Sequence, residues 1–391
     1  MRVLIVSVTT GGGHNSTADA IEAEFQRLKE SGAEIEIEKE DFYEYVGDFF
    51  YNVMDKGYQL LITHFSEVFG KSYDTFETDA RLRRAAATLS GSEFMANRFG
   101  SYFRGNSPDI IITTHVFAAS ALSDLKAKGR ITAPIIGIMT DYCIHPFWED
   151  CKFTDYIVIP DKLFEYAAMK RGISNERLLP LGIPVRQNFL SRMDKSEARE
   201  KLGFEREALI VLVMGGAMGY GNIQEVVEEI LETDDRFHVA VICGNNKRLL
   251  NNLQKIENSN LHTFGFVSNV DEFMDAADCI ITKPGGLTST EFLIKNLPAI
   301  LINPIPGPEK RNMQFFCNSG CALHSGKNFS IHEALAMMFD DPDKLGEMRK
   351  ALQRVAKPKA AYDICQFAIN LVNSSAIEGG TPRNLLPEQS S

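Results

Sequence analysis

Twice along the chain a short, almost wholly apolar run is followed within three residues by glycines, and each time a series of alternating strand and helix patterns follows. Val3–Val8 leads into Gly11-Gly12-Gly13, and Leu209–Met214 leads into Gly215-Gly216. An apolar run of this length is the pattern of a strand buried on both faces of a parallel sheet. After the first run, helical spacing covers Ser16–Lys29 and a weak alternation marks Glu34–Glu38 as a second strand. Residues 42–104 have a mostly helical texture. Short apolar runs at Asp109–Thr113, Ile135–Met139 and Tyr156–Ile159 then alternate with helix patterns at Val116–Lys128 and Asp161–Arg171. After the second run, helices at Ile223–Glu232, Val270–Ala276 and Thr288–Lys295 alternate with strands at His238–Cys243, Cys279–Thr282 and Ala299–Ile302. A Pro/Gly-rich loop spans Asn303–Pro308, and Ile331–Ile369 is mainly helical. Between the two series, Leu181-Gly182-Ile183-Pro184-Val185 has the breaker content of a domain exit. The expected fold is α/β, with two doubly wound Rossmann-like domains facing across a cleft. The expected boundaries are 1–186 and 187–358, then a helix over 359–375 packing back on the first domain, and a flexible polar tail over 376–391. A chain of 391 residues has room for two such cores.

Charge and composition narrow the partners. The formal net charge is −11, which argues against a nucleic-acid binder. No run of 18 apolar residues is present, so no membrane span is expected. The N-terminal apolar run ends in glycines rather than a small-residue cleavage site and reads as a strand, not a signal peptide. Seven cysteines without a CxxC pair suit free thiols in a reducing cytoplasm. The acidic balance is uneven. From Asp19 to Asp79 acids outnumber bases, whereas Arg81, Arg83, Arg84, Arg98, Arg104, Lys126, Lys128 and Arg130 face only Glu93, Asp109 and Asp124. Residues 42–103 are also rich in Phe and Tyr. Two readings fit this region: helix cores with a solvated basic face, or a surface that docks on an anionic bilayer.

Four glycine or histidine constellations carry the chemistry. In Thr9-Thr10-Gly11-Gly12-Gly13-His14, the glycines let a ligand approach the backbone. His14 falls near a helix N-terminus with Asn15 or Ser16 as the expected cap. The positive end of the helix dipole disfavours imidazolium there, and a neutral imidazole can act as a general base. A turn histidine that merely caps the helix fits the same spacing. In Met139-Thr140-Asp141-Tyr142-Cys143-Ile144-His145-Pro146-Phe147-Trp148, Asp141 and His145 can bind a substrate or orient another group, and a structural loop is the competing reading. No second histidine stands at metal-ligand spacing from His145. The loop Gly215–Gly221 suits a phosphate. In Thr282-Lys283-Pro284-Gly285-Gly286-Leu287-Thr288-Ser289-Thr290-Glu291, backbone N–H groups and the Thr288 hydroxyl can meet a diphosphate, and Glu291 can accept from a ribose diol. Shortly after, Glu309 and Asn312 can hold sugar hydroxyls, although Glu309-Lys310-Arg311 also reads as a solvated charged loop. Neither GxGxxG nor GxxxxGK[ST] occurs, which sets aside a dinucleotide fingerprint and a P-loop.

Taken in order, GGGHNSTA, TDYCIHPFW, the MGG loop, GFVSNVDEFM, ITKPGGLTSTE and PGPEKRN span nearly the whole chain. Together they resemble the monogalactosyldiacylglycerol synthase and processive diacylglycerol glucosyltransferase family, related to the lipid II synthase glycosyltransferases. The resemblance implies a GT-B fold with an acceptor domain first and a UDP-sugar domain second. It further implies inverting transfer of a hexose, glucose favoured over galactose, from a UDP-sugar to diacylglycerol. No cofactor or essential metal is implied. The implied location is the cytoplasm, peripheral on the inner face of the cell membrane, with UDP-glucose or UDP-galactose, diacylglycerol and an anionic membrane surface as partners. On this resemblance His14 is the catalytic base. Gly12, Gly13, Asp141, His145 and Trp148 belong to the acceptor side. Phe266 and Val267 lie by the uracil. Gly216, Gly285, Gly286, Leu287 and Thr288 hold the diphosphate, Glu291 the ribose, and Glu309 and Asn312 the hexose. Pro308 departs from the family pattern, which usually has Gln before the Glu. A transferase acting on a lipid-linked peptidoglycan precursor, a noncatalytic UDP-sugar sensor and a nicotinamide-dependent oxidoreductase are the competing readings.

Overall fold

The computed structural model describes residues 1–9, 12–46, 92–215 and 222–377. The loop containing Gly216, Gly219 and Gly221, the aromatic-rich stretch 47–91 with Arg81, Arg83 and Arg84, and the tail from residue 378 lie outside them.

The chain forms two units. The first comprises Met1–Arg186 and the chain from Lys357 onward, with Pro306–Pro308; the second comprises Gln187–Ile305 and Glu309–Ala356. In the first unit six strands form one sheet: β1 (Arg2–Ser7), β2 (Glu36–Asp41), β3 (Ile110–Thr113), β4 (Ile135–Ile138), β5 (Tyr156–Val158) and β6 (Leu178–Leu179). Their order is β2-β1-β3-β4-β5-β6, and every pairing is parallel. The order reverses between β1 and β3, the crevice where ligands bind in such sheets. The isoleucines of β3 and β4 are almost wholly buried, as two-sided coverage by helices requires. Helix Gly13–Glu30 covers one face. Helix Ala360–Ile377 joins it there, with Ile364, Phe367 and Ala368 packed in one core with Val3, Ile5, Ile21 and Phe25.

The second unit repeats the plan with β7 (Leu209–Met214), β8 (Phe237–Ile242), β9 (Leu261–Phe264), β10 (Cys279–Thr282), β11 (Ala299–Leu301) and β12 (Ala322–His324). The order is β12-β11-β10-β7-β8-β9, again all parallel, with the reversal between β7 and β10.

Strands β6, β9 and β12 carry no clear run in the sequence. Each lies at the edge of its sheet, where a strand is short or half-exposed and its pattern weak. The charged sequence after Pro308 is not a loop but helix Pro308–Asn318. Proline suits the first helical position, where no intrahelical N–H bond is lost. Asp161–Arg171 splits into a 3-10 turn, Lys162–Phe164, and helix Glu165–Lys170. All seven cysteines are free thiols.

Candidate functional site

In the first unit, the ends of β1 and β3 are latched together. Thr114 N–H donates to the Val6 carbonyl at 3.2 Å, and the Thr114 hydroxyl donates to Ser7 Oγ at 3.1 Å. From that latch the chain enters helix Gly13–Glu30. The cap is Gly12, not Asn15 or Ser16, and it makes no side-chain capping bond. Its φ of 68° is a conformation that glycine adopts without cost. His14 is therefore the second residue of the helix and points back over the switch point. Its Nδ1 lies 2.8 Å from the Thr114 carbonyl oxygen and 3.1 Å from the Thr140 hydroxyl. A carbonyl only accepts, so Nδ1 carries the proton and the lone pair falls on Nε2. Burial holds the His14 pKa below the ordinary imidazole value, while the Thr114 bond and the charge of Asp141 pull the other way. The ring is thus neutral at pH 7, with Asp141 placed to favour a proton arriving on it.

Two further histidines end the neighbouring strands. His115, after β3, caps helix Val116–Ala127 by accepting the Phe117 N–H on Nδ1 at 3.3 Å. Its ring meets His14 edge-on, with centroids 4.6 Å apart. Burial, then His14 and His145, push its pKa well down. His145, after β4, caps the 3-10 turn Pro146–Asp150 in the same way, accepting from Phe147 N–H at 3.3 Å. Sequence reading missed His115, because histidine is not among the usual capping residues and no motif surrounds it. Gly12, Gly13, Asp141 and His145 all lie with His14 beyond the carboxyl ends of β1 and β4. Trp148 does not belong with them. It is 4% exposed in a core with Ala119, Met139 and Ile157. A Cβ on Gly137 would stand 2.5 Å from its ring, so the indole fills space against β4 rather than facing an acceptor.

In the second unit, β10 runs through Lys283 and Pro284 to Gly285, the cap of helix Gly286–Ile294. No side chain caps this helix, so the first-turn N–H groups of Gly286, Leu287 and Thr288 are presented without a side-chain cap acceptor. Aligned peptide dipoles make that end attractive to an anion. Helix Pro308–Asn318 clamps the loop from behind. Glu309 pairs with Lys283 at 3.0 Å through one oxygen and accepts the Ile305 N–H at 2.8 Å through the other. Asn312 is 0% exposed and donates its amide to the Pro284 carbonyl at 2.9 Å. Through that bond Asn312, expected at the hexose, holds the Pro284-Gly285 turn in place. Glu291 is buried in the body of the helix, while Leu287 and Thr288 are half-exposed. After β9, Phe266 stands 71% exposed beside half-buried Val267. Gly216 falls outside the described residues.

Two of the described basic residues expected on a docking face, Lys126 and Arg130, are engaged at the other edge of the first sheet. Lys126 pairs with Asp155 and donates to the Ala133 carbonyl, both just before strands β5 and β4. Arg130 donates to the Gly100 carbonyl at 3.1 Å. No described helix is long and apolar enough to cross a membrane. Among the described residues no cluster of three His, Cys, Asp or Glu side chains is placed to hold a metal ion.

Comparison with known proteins shows the family of the chain. Residues 14–185 match the family model for monogalactosyldiacylglycerol (MGDG) synthase, and residues 210–364 match that of the glycosyltransferase family 28 C-terminal domain. The chain is 31% identical over 277 residues to a processive diacylglycerol beta-glucosyltransferase of Bacillus cytotoxicus, covering 70% of each chain. It is 34% identical over 260 residues to that of Bacillus licheniformis, covering 66% of this chain and 67% of the relative. It is 28% identical over 373 residues to one from Bacillus cereus, covering 93% of this chain and 92% of the relative. Among solved structures it is similar to Acinetobacter baumannii MurG, with TM-score 0.59 and 15% identity over 94% of this chain and 99% of that one. It is also similar to S. aureus MnaA bound to UDP, with TM-score 0.60 and 13% identity over 98% and 99%. These structural likenesses identify the fold as GT-B.

Proposed function

Because the chain belongs to the diacylglycerol glycosyltransferase family, we propose that it transfers glucose from UDP-glucose to the free hydroxyl of diacylglycerol, with inversion, to give a β-linked glycolipid. The observation that carries this reading is the state of His14. It is a neutral imidazole, fixed through Nδ1 by the Thr114 carbonyl at the β1/β3 switch point, with its basic lone pair on Nε2.

The proposed steps are these. His14 Nε2 accepts the proton of the acceptor hydroxyl as its oxygen forms a bond to the anomeric carbon. The bond from that carbon to the UDP oxygen breaks on the opposite face, so the configuration inverts. Asp141 stabilises the imidazolium formed, and the proton later passes to solvent. Negative charge developing on UDP meets the uncapped N–H groups of Gly286, Leu287 and Thr288 and the helix dipole behind them. Gly285 gives the phosphate a close backbone approach, and Gly216 is assigned to the same group. Phe266 and Val267 take the uracil, Glu291 the ribose and Glu309 the hexose. Gly12, Gly13 and His145 line the acceptor side. With the diphosphate held by backbone dipoles, the reaction needs no metal, and chelation leaves the rate unchanged. The enzyme acts from the cytoplasm as a peripheral protein on the inner face of the membrane.

The test is incubation with diacylglycerol vesicles and either UDP-glucose or UDP-galactose, with product mass and anomeric configuration read out. A β-glucosyl product supports the reading. A β-galactosyl product alone overturns the choice of sugar, and no lipid product with either donor overturns the acceptor.

A further inference from the structure

The segment following β5 has its polarity reversed. In the 3-10 turn Lys162–Phe164 and helix Glu165–Lys170, Phe164 and Ala168 face the protein, whereas Leu163, Tyr166 and Met169 are 71%, 65% and 45% exposed. These three recur every third residue and so share one helical face. Lys162 and Lys170 are exposed at its two ends, and the Lys170 ammonium sits 4.8 Å over the Tyr166 ring. Glu165, half-buried, lies within the segment itself, and two acids beside it are engaged. Asp161 accepts the Leu163 N–H and lies 3.8 Å from Lys357, and Glu149 pairs with Arg171 at 2.9 Å. A chain of net charge −11 thus presents an apolar strip with a cation at each end.

We propose that Lys162–Lys170 is the face by which the protein docks on an anionic bilayer. An apolar strip with an aromatic ring between cations matches the headgroup–acyl boundary, where the ring stays amphipathic and the lysines meet lipid phosphates. Its position fits a lipid acceptor, and in this respect the proposal rests on the function given above. All strands of the first sheet are parallel, so their carboxyl ends share one edge. The strip begins just past the carboxyl end of β5, three strand spacings from β1 and roughly 15 Å along the edge that carries His14. Docking there brings the His14 edge to the membrane in which diacylglycerol lies. Three exposed side chains are too few for a stable interface between copies, which buries about 800 Å² on each partner. The engaged Lys126 and Arg130 lie at the opposite edge and do not compete for this role.

The experiment uses the full chain with vesicles of phosphatidylcholine, alone or mixed with equal parts of phosphatidylglycerol. Binding is read by co-sedimentation, folding by thermal melting, and self-association by sedimentation velocity. Leu163→Asp with Met169→Asp is expected to melt like the unaltered protein and to lose at least about tenfold in binding to mixed vesicles. Lys162→Gln with Lys170→Gln is expected to lose the preference for the anionic lipid. Both variants glycosylate detergent-dispersed diacylglycerol at the normal rate and vesicle-borne diacylglycerol slowly. Unchanged vesicle binding in both variants overturns the proposal. So does an unaltered protein that self-associates through this face, with the aspartate variant turning monomeric. If no acceptor is glycosylated in any format, the functional reading fails while the binding result still decides the docking face.

Discussion

Replacing Asn312 by alanine separates a residue that holds the donor loop from one that touches sugar. The side chain is 0% exposed, and its amide donates to the Pro284 carbonyl at 2.9 Å. Truncation leaves that buried carbonyl without this donor, at a cost of about 1–3 kcal/mol. The void adds about 1 kcal/mol. The total of about 2–4 kcal/mol is a large share of a marginal stability, and at about 2–4 °C per kcal/mol for a domain this size it lowers the melting temperature by about 4–16 °C. The turn it held, Pro284-Gly285, leads into the helix N-terminus assigned to the diphosphate. UDP and UDP-glucose affinity therefore fall together, each by about tenfold, equivalent to about 1.4 kcal/mol. Thermal melting and calorimetric titration with both nucleotides read the two effects. A variant that melts within about 1 °C of the unaltered protein, binds UDP normally and loses only UDP-glucose would refute the reasoning and return Asn312 to the hexose.

Three other perturbations probe separate parts of the account. Phe266→Ala removes a ring that is 71% exposed, so melting stays unchanged while UDP binding weakens by about 1–3 kcal/mol, the usual worth of stacking a base on an aromatic side chain; an unchanged Kd would take the uracil elsewhere. Glu309→Gln keeps an acceptor for the Ile305 N–H but leaves Lys283 without its ionic partner, and UDP-glucose affinity should drop more than UDP affinity; equal losses would make Glu309 a loop clamp only. His115 is held below the imidazole value of 6.5 in the folded protein, so the unfolded chain binds more protons as pH falls through that value, and stability is lost toward acid. His115→Asn retains a capping oxygen for Phe117 N–H, so its melting temperature is expected to fall less between about pH 7 and pH 5; an unchanged slope would exclude His115 as a source of the acid sensitivity.

Strands buried on both faces announced themselves. Leu209–Met214 and Cys279–Thr282 are observed with the bounds their apolar runs predict, because in a doubly covered parallel sheet nearly every side chain is apolar. Edge strands such as Leu261–Phe264 carry His262 and Thr263 and obey no such rule. In the site, His14 and the Gly285-Gly286 turn were legible because glycine runs between a strand and a helix have few other uses. Local sequence is silent on what depends on distant packing. Trp148 looks like a loop aromatic until the chain brings Gly137 beneath it, and Asn312 looks available until helix Pro308–Asn318 folds it under Pro284. His115 gained its place from β3 lying beside β1, a pairing set by topology between residues about a hundred positions apart.

The central claim is that His14 is the base of a glucosyl transfer to diacylglycerol. Its most direct test is the rate of β-glucosyl-diacylglycerol formation by the unaltered protein and by His14→Ala, with UDP-glucose affinity measured alongside. The expected result is a β-linked product from the unaltered protein, a fall of about 10²–10⁴-fold in the variant, and donor affinity unchanged. Near-normal product formation by His14→Ala with intact donor binding would contradict the account.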